Sequence, residues 1–334
     1  MAILVAGSAG HLGEGLMRTL KASGRAAIGI DIKPSPYTDH VGSIADRDLL
    51  RSLFRQGIHA VVHAAALHKP HIVTHSHQDF IDTNLTGTLA LLEAAAEAGV
   101  ESFVFTSTTS AFGSALTPPP GMPAGWITED VVPIPKNIYG ATKLGAEHLC
   151  ELFANRRRLP VIILRTSRFF DQEDDSPTIR HRFSRDNAQL IELLYRRVDL
   201  DDAVQAHLLA LEHAPRLNFG RFIVSAPTPF SREDLAALRR APRAAVARLF
   251  PETEQLFAER GWSMFDEIDR VYVSELAVAN LGWAPRWDFG QALKHLRNGE
   301  DFRSPLARAV GSKGYHDVAF QEGPYPVEAQ IPRL

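Results

Sequence analysis

The 334-residue chain predicts an α/β architecture: a doubly wound parallel sheet followed by a smaller C-terminal domain. Three observations carry that expectation. Short apolar runs alternate with longer segments of helical spacing through the first half, the signature of βαβ units. The runs are apolar throughout rather than alternating with polar residues, as strands covered on both faces require. A glycine-rich turn joins the first run to the first helical segment.

Ala2–Ala6 is the first strand and ends at Gly7. Residues 11–23 follow with helical spacing, Leu12, Leu16 and Leu20 sharing one face. Residues 26–30 form the next strand, closed by Asp31. Residues 46–56 read as a helix capped by Asp46 and stopped at Gly57. Residues 59–63 are a third strand, 80–98 a helix ended by Gly99, and 102–105 and 161–164 further strands. The organisation changes after about Arg165. Residues 171–187, dense in charge and carrying Pro177, read as loop. Residues 114–135, with Pro118, Pro119, Pro120 and Pro123, also read as irregular, a length that usually serves function or marks mobility. Residues 231–240 start a later helix, with Ser231 and Asp234 as a capping box in which Asp replaces the usual Glu. The segment after about Asp301, rich in Gly and Pro, is expected to wrap the surface.

Composition narrows the function. The formal net charge of −3 gives no basic balance for nucleic acid or an anionic membrane. The run Arg156-Arg157-Arg158 suits a solvated helix end better than a phosphate site. One cysteine, Cys150, rules out a disulfide within the chain and disfavours a cysteine metal site, pointing to a reducing, cytoplasmic setting. The opening MAILVAGSAG has no basic n-region, so it is not read as a signal peptide. No stretch approaches the ~20 apolar residues of a membrane span.

Gly7, Gly10 and Gly13 sit between the first strand and the first helix. Glycine lets the backbone turn sharply and approach a pyrophosphate, which then faces the positive end of the helix. A glycine trio alone also fits a tight turn. Asp31 at the end of the second strand strengthens the motif: a carboxylate there accepts from ribose hydroxyls and repels a 2′-phosphate. NAD is therefore favoured over NADP, although Lys33 pulls the other way and Asp31 before Pro34 can also be read as a turn residue.

Tyr139 and Lys143 lie four residues apart, on one face of a helix. A nearby cation lowers a phenol pKa, so Tyr139 is expected to act as general base on a substrate hydroxyl while hydride leaves its carbon. Thr106-Ser107-Thr108-Thr109-Ser110 follows the fourth strand, where ligands bind in open α/β sheets; plain loop hydrogen bonding is the alternative.

With these residues in hand, the chain resembles the extended short-chain dehydrogenase/reductase superfamily, the NAD-dependent epimerase/dehydratase family of nucleotide-sugar enzymes. The glycine motif, residues 63–66, residues 84–88, the hydroxyl run ending at Gly113 and the Tyr139/Lys143 pair occur in family order, with a weaker echo at residues 281–285. The resemblance implies a Rossmann domain over 1–167 plus about 196–226. It implies a substrate-binding domain and tail over about 168–195 and 227–334. It implies that Gly7, Gly10, His11, Leu12 and Gly13 cradle the pyrophosphate. Asp31 would hold the adenosine ribose, Ser43 and Ile44 stand near the adenine, Ala64 and Ala65 line the cofactor through their backbone, and Asn84 is a structural asparagine beside it. Thr108 becomes the hydroxyl partner of Tyr139, with Ser107 second choice, and Lys143 also holds the nicotinamide ribose.

The departures matter. Ser43 and Ile44 stand where relatives often have an aspartate. Thr109 and Ser110 replace the Asp-Glu pair of sugar dehydratases, which disfavours dehydration. Arg168 replaces a substrate-binding asparagine, and Arg260 is only near the position of a diphosphate-binding arginine. The leading expectation is hydride transfer at a secondary alcohol of a sugar or nucleotide sugar. The alternatives are a net dehydrogenase or reductase of a sugar acid or other small carbonyl, which Arg168 would suit, and a non-catalytic NAD-binding regulator.

His68, His71, His75 and His77 cluster after the third strand. Metal is not expected, since no carboxylate or cysteine completes a site. His68 is read as a substrate contact, with a polar surface loop as the alternative. Leu85, Leu89 and Leu92, with Leu144, Leu149 and Leu152 on the later helix, suggest a homodimer by the family's helix pairing, or ordinary core.

Overall fold

The computed structural model describes residues 1–314 together with 316, 320 and 323–325. Its strands are β1 Ala2–Ala6, β2 Ala27–Asp31, β3 His40–Val41, β4 Ile58–His63, β5 Ser102–Thr108, β6 Gly125–Ile127, β7 Val161–Thr166, β8 Phe219–Val224 and β9 Arg270–Tyr272. Seven pair in parallel, in the order β3-β2-β1-β4-β5-β7-β8, and β6 pairs with β9 in a separate parallel ribbon. The chain runs outward from β1 to β3, then returns to place β4 on the other side of β1. That reversal opens a crevice at the carboxyl ends of β1 and β4, the place where doubly wound sheets take ligands.

The helices are α1 His11–Ala22, α2 Arg47–Phe54, α3 His77–Phe80, α4 Gly87–Glu97, α5 Ile138–Arg157, α6 Pro177–Arg182, α7 Arg185–Glu192, α8 Leu200–Leu217, α9 Leu235–Arg240, α10 Pro242–Leu249, α11 Thr253–Arg260, α12 Glu275–Leu281, α13 Phe289–Arg297 and α14 Pro305–Val310. The Asp46 side chain accepts from Asp48 N and Leu49 N, so the expected cap starts α2. The Ser231–Asp234 box is formed as well.

Alternate residues of each strand feed opposite faces. Ile3, Val5, Val62 and Ile162 pack with Leu16 of α1 and Ala203 of α8. Leu4, Val61, Phe103 and Ile163 pack with Leu50 of α2, Leu91 of α4 and Phe153 of α5. Burying each large aliphatic side chain contributes about 1.5–3 kcal/mol, so the crevice is built on a rigid support. A second core gathers Leu190, Ile191, Leu238, Val246, Ile268, Phe289 and Leu293. Helices α12 and α14 do not join it: Ala277, Leu281, Ala307 and Val310 pack with the sheet's α1 and α8 layer, although the sequence reading grouped 227–334 together.

Three local expectations are corrected. Residues 171–187 are not all loop. Pro177 is pre-set for the first turn of α6, and the Ser184 side chain caps α7 by accepting from Asn187 N. Helix 80–98 contains a π-helical stretch, Ile81–Thr86, at Asn84. Residues 114–135 include β6, and Gly113 bridges to Ile134. The tail is helical over α14, while positions 315, 317–319, 321–322 and 326–334 lie outside the described residues.

Candidate active site

A cleft of about 430 Å³ runs from the glycine turn to the end of α5. Of the residues singled out from sequence, Gly7, Gly10, His11, Leu12, Gly13, Asp31, Ser43, Ile44, Ala64, Ala65, His68, Ser107, Thr108, Tyr139, Lys143 and Arg168 all line it.

At one end the turn allows no side chain at Gly7 or Gly13. Gly7 has φ +90°, and a Cβ there would lie 2.6 Å from Ala65 N. A Cβ on Gly13 would lie 1.9 Å from the Gly7 carbonyl oxygen. Helix α1 therefore presents its first turn, which has no side-chain cap at Gly10, to the cleft. The Asp31 carboxylate fixes this end by accepting from Ala9 N at 3.0 Å and from Lys33 N at 2.9 Å. A backbone cradle, an uncapped helix start and a carboxylate at the next strand end fit a dinucleotide.

Asn84 does not line the cleft. Its side chain accepts from Leu67 N at 2.8 Å and donates to Leu67 O at 2.9 Å and to Thr142 Oγ1 at 3.1 Å. It ties the segment after β4, which does line the cleft, to α5.

At the other end, Asn137 caps α5 by accepting from Gly140 N, which sets Tyr139 and Lys143 in the first turns. The Thr108 hydroxyl neighbours the Tyr139 phenol, and both line the cleft. Thr108 accepts from Ser110 N at 3.0 Å, which holds its hydroxyl at the end of β5. The expectation that Lys143 lowers the phenol pKa is not met in the polypeptide alone. Burial pushes Tyr139 up to about 12, and only the neighbouring Thr108 hydroxyl opposes it. Burial likewise pushes Lys143 down to about 7, against the pull of Cys150 and Glu147. Its Nζ donates to the Thr106 carbonyl at 2.6 Å and sits 4.0 Å from the centre of the Phe105 ring. A lysine only part-charged near pH 7 is a weakened source of positive potential for its neighbour.

Ser107 is also committed. Its hydroxyl donates to Glu147 Oε1 at 2.6 Å, and that fully buried carboxylate pairs with Arg165 at 2.7 Å. Ser107 therefore braces β5 against α5 rather than offering its hydroxyl to the cleft. Arg168, expected to suit a substrate carboxylate, is held by the protein's own: it pairs with Asp174, with Asp175 at 2.9 Å and with Glu192 at 2.7 Å. His68 stacks on His71 at 5.4 Å and lies 6.3 Å from the Tyr139 ring. Burial, then His71 and Lys143, push it down to about 3, so it is neutral near pH 7. Among the described residues, no group of three or more His, Cys, Asp or Glu could hold a metal ion, and no helix is long and apolar enough to cross a membrane.

Several lining residues had no signal in the sequence. Arg196, Arg270, Tyr272 and Lys313 reach the cleft from distant elements. Arg260, noted for its position, instead donates to Leu296 O and Leu256 O; Arg270 lines the cleft. Only the fold shows which arginine arrives there.

A glycine turn at the switch point and a Tyr–Lys pair at the far end of one cleft define a Rossmann protein of the extended short-chain dehydrogenase/reductase superfamily. A model of the NAD dependent epimerase/dehydratase family matches residues 3–223, and the chain belongs to that family. Among curated relatives, it is 31% identical over 185 residues to the low-salt glycan biosynthesis protein Agl12 of Haloferax volcanii, covering 51% of this chain and 57% of that protein. It is 31% identical over 156 residues to a UDP-glucose 4-epimerase of Streptomyces lividans, 44% of this chain and 45% of that one. The chain spans about half the length of these curated relatives. Among solved structures, a short-chain dehydrogenase/reductase superfamily protein of Agrobacterium tumefaciens with bound NAD superposes with a TM-score of 0.63 at 26% identity, over 92% of this chain and 97% of that one. A UDP-N-acetylglucosamine 4-epimerase of Bacillus cereus shares the fold, with a TM-score of 0.62 at 19% identity over 89% and 98% of the two chains.

Proposed function

We propose that the protein is an NAD-dependent hydride-transfer enzyme acting at a secondary alcohol of a sugar or nucleotide sugar. The observation that carries this reading is the Thr108–Tyr139 hydroxyl pair at the end of a cleft that begins on the glycine turn. Gly7, Gly10, Gly13, Ala64 and Ala65 would hold the dinucleotide through backbone, Asp31 its adenosine ribose, and Lys143 its nicotinamide ribose. The bound cofactor supplies the hydride acceptor and a positive ring near the phenol. Thr108 orients the substrate hydroxyl, and Tyr139 moves its proton. His68, neutral and beside Tyr139, offers an uncharged hydrogen-bonding edge to the sugar. Relatives named as UDP-glucose 4-epimerases support a nucleotide sugar. Residues of the second core would form the substrate-binding domain. A cytoplasmic homodimer through α4 and α5, where Leu152 is exposed, completes the reading, and sedimentation checks it.

The test is incubation of the purified protein with NAD and a panel of nucleotide sugars, sugars and sugar acids, read by absorbance and mass spectrometry. Isomerisation of a nucleotide sugar without net reduced nicotinamide is the expected result. Net reduction with a sugar acid would transfer the assignment to a dehydrogenase. No uptake of NAD would overturn both.

A further inference from the structure

Helix α14 packs Ala307 and Val310 beside α1. Gly311 then turns the chain at φ +63°, and Lys313 comes to line the same stretch of cleft as Gly10, His11, Leu12 and Gly13. Its main chain is held on both sides. The Lys313 N–H donates to His11 Nε2 at 3.0 Å, and the Gln172 amide donates to the Lys313 carbonyl. Its Nζ rests 2.6 Å from Glu14 Oε2. The backbone is fixed and the flexible stem alone can swing.

Apart from Lys33, which follows Asp31 along the cleft, the other charges here are unsuited to a dianion. Glu14 and Asp31 are carboxylates. His11 stays neutral near pH 7, pushed down to about 4 by burial and then by Lys313 itself. Lys69 is paired with Asp175, and Lys143 with the Thr106 carbonyl. Glu14 also has a second cation, Arg18 at 2.7 Å, so its charge stays balanced if Lys313 leaves.

We propose that Lys313 is a cofactor-binding residue, its ammonium moving from Glu14 to the pyrophosphate of the dinucleotide on the glycine turn. This rests on the reading of the cleft as an NAD site. A phosphate oxygen is a stronger partner for a compact ammonium than a carboxylate already shared with Arg18. The C-terminal segment thereby becomes a wall of the nucleotide site, so cofactor affinity depends on a residue far outside the glycine motif.

The test is calorimetric titration of NAD into full-length wild type, Lys313→Met, Lys313→Arg and Glu14→Gln at low salt. Methionine keeps the aliphatic stem, and Glu14→Gln removes the resting partner. Lys313→Met is expected to weaken NAD binding by about tenfold or more, from the loss of one charge-assisted contact. Lys313→Arg is expected to restore most of the affinity, and Glu14→Gln to bind at least as tightly as wild type. If the Lys313–Glu14 pair only anchors the tail, Lys313→Met and Glu14→Gln weaken binding alike, which overturns the proposal. Binding by Lys313→Met within about twofold of wild type overturns it too, that being far below one such contact. Failure of wild type to take up NAD would overturn the reading of the cleft itself and this assignment with it. Melting curves without NAD verify that each variant is folded.

Discussion

The Thr108 hydroxyl, at the end of β5, is the neighbour that opposes the effect of burial on the Tyr139 phenol, in the first turn of α5. The fold brings together two groups 31 positions apart, and both line the cleft. Tyr139→Phe keeps the ring in its pocket and deletes only the hydroxyl, the proposed proton-transfer group. Turnover is expected to fall by about 10²–10⁴-fold, the range for losing a general acid–base. NAD affinity is expected to stay within about twofold, because the phenol's contribution is to the reaction. Steady-state kinetics beside an NAD titration check both. Equal losses in both would show that the ring, not the hydroxyl, is what matters.

Lys143 gives a pH signature. Its pKa in the fold is about 7, below the usual ~10.4 of an unfolded lysine. Between those values the unfolded chain carries the extra proton, so the stability of the cofactor-free protein rises with pH across that window, by at most about 1.4 kcal/mol per unit. Lys143→Met removes the titrating group. The variant's melting temperature is expected to climb less than wild type's between pH 7 and 9.5. Parallel curves would show that the buried lysine keeps its ordinary pKa.

The sheet and the glycine turn were legible in the sequence because they are local. An apolar strand, a glycine that must have positive φ and a carboxylate at the next strand end all lie within the first 31 residues. Tyr139 and Lys143 were legible for the same reason, being one helical turn apart. Legibility failed where a side chain's partner is remote. Ser107 stood as second choice for the hydroxyl beside Tyr139 until Glu147, 40 positions away, took its hydroxyl. Arg168 resembled an anion hook until Asp174, Asp175 and Glu192 gathered round it. Lys313 lies 299 positions from Glu14, and no spacing rule reaches that far. The raised phenol pKa was missed because burial, which has no sequence period, outweighs a neighbouring lysine.

Glu147 is the hub between β5, β7 and α5. It is fully buried, accepts from Ser107 and pairs with Arg165, which is itself almost fully buried. Glu147→Leu would strand the Arg165 guanidinium in the core. A loss of about 3–5 kcal/mol is expected, the cost of breaking a buried pair from one side. The double variant Glu147→Leu/Arg165→Met is expected to recover part of that loss, since the buried guanidinium goes with its partner while Arg221, the second cation on Glu147 at 3.1 Å, keeps Glu151 at 3.2 Å. Urea denaturation of the three variants measures it. A double variant no better than the single would mean that shape, not charge, governs the site.

Arg168 separates a structural from a substrate role by pH. Burial alone would raise the carboxyls of Asp175 and Glu192, yet both are held well below the usual range, with Arg168 the leading opposing charge. Groups with depressed folded pKa values stabilise the fold above the unfolded value near ~4 and lose that contribution as pH falls through the folded values. Arg168→Met is therefore expected to cost about 3–5 kcal/mol near pH 7, where the carboxylates are left charged and underpaired. The cost should be smaller at pH 4.5, where they can take up protons. Denaturant midpoints at the two pH values provide the comparison. An arginine reserved for substrate would give the opposite pattern, with stability little changed at either pH and the damage confined to KM. The three carboxylates around Arg168 make the first outcome the expected one; Arg196 shares Asp174 and Glu192 with it, so the search for substrate-binding cations moves to Arg270, which lines the cleft and pairs with its chain neighbour Asp269.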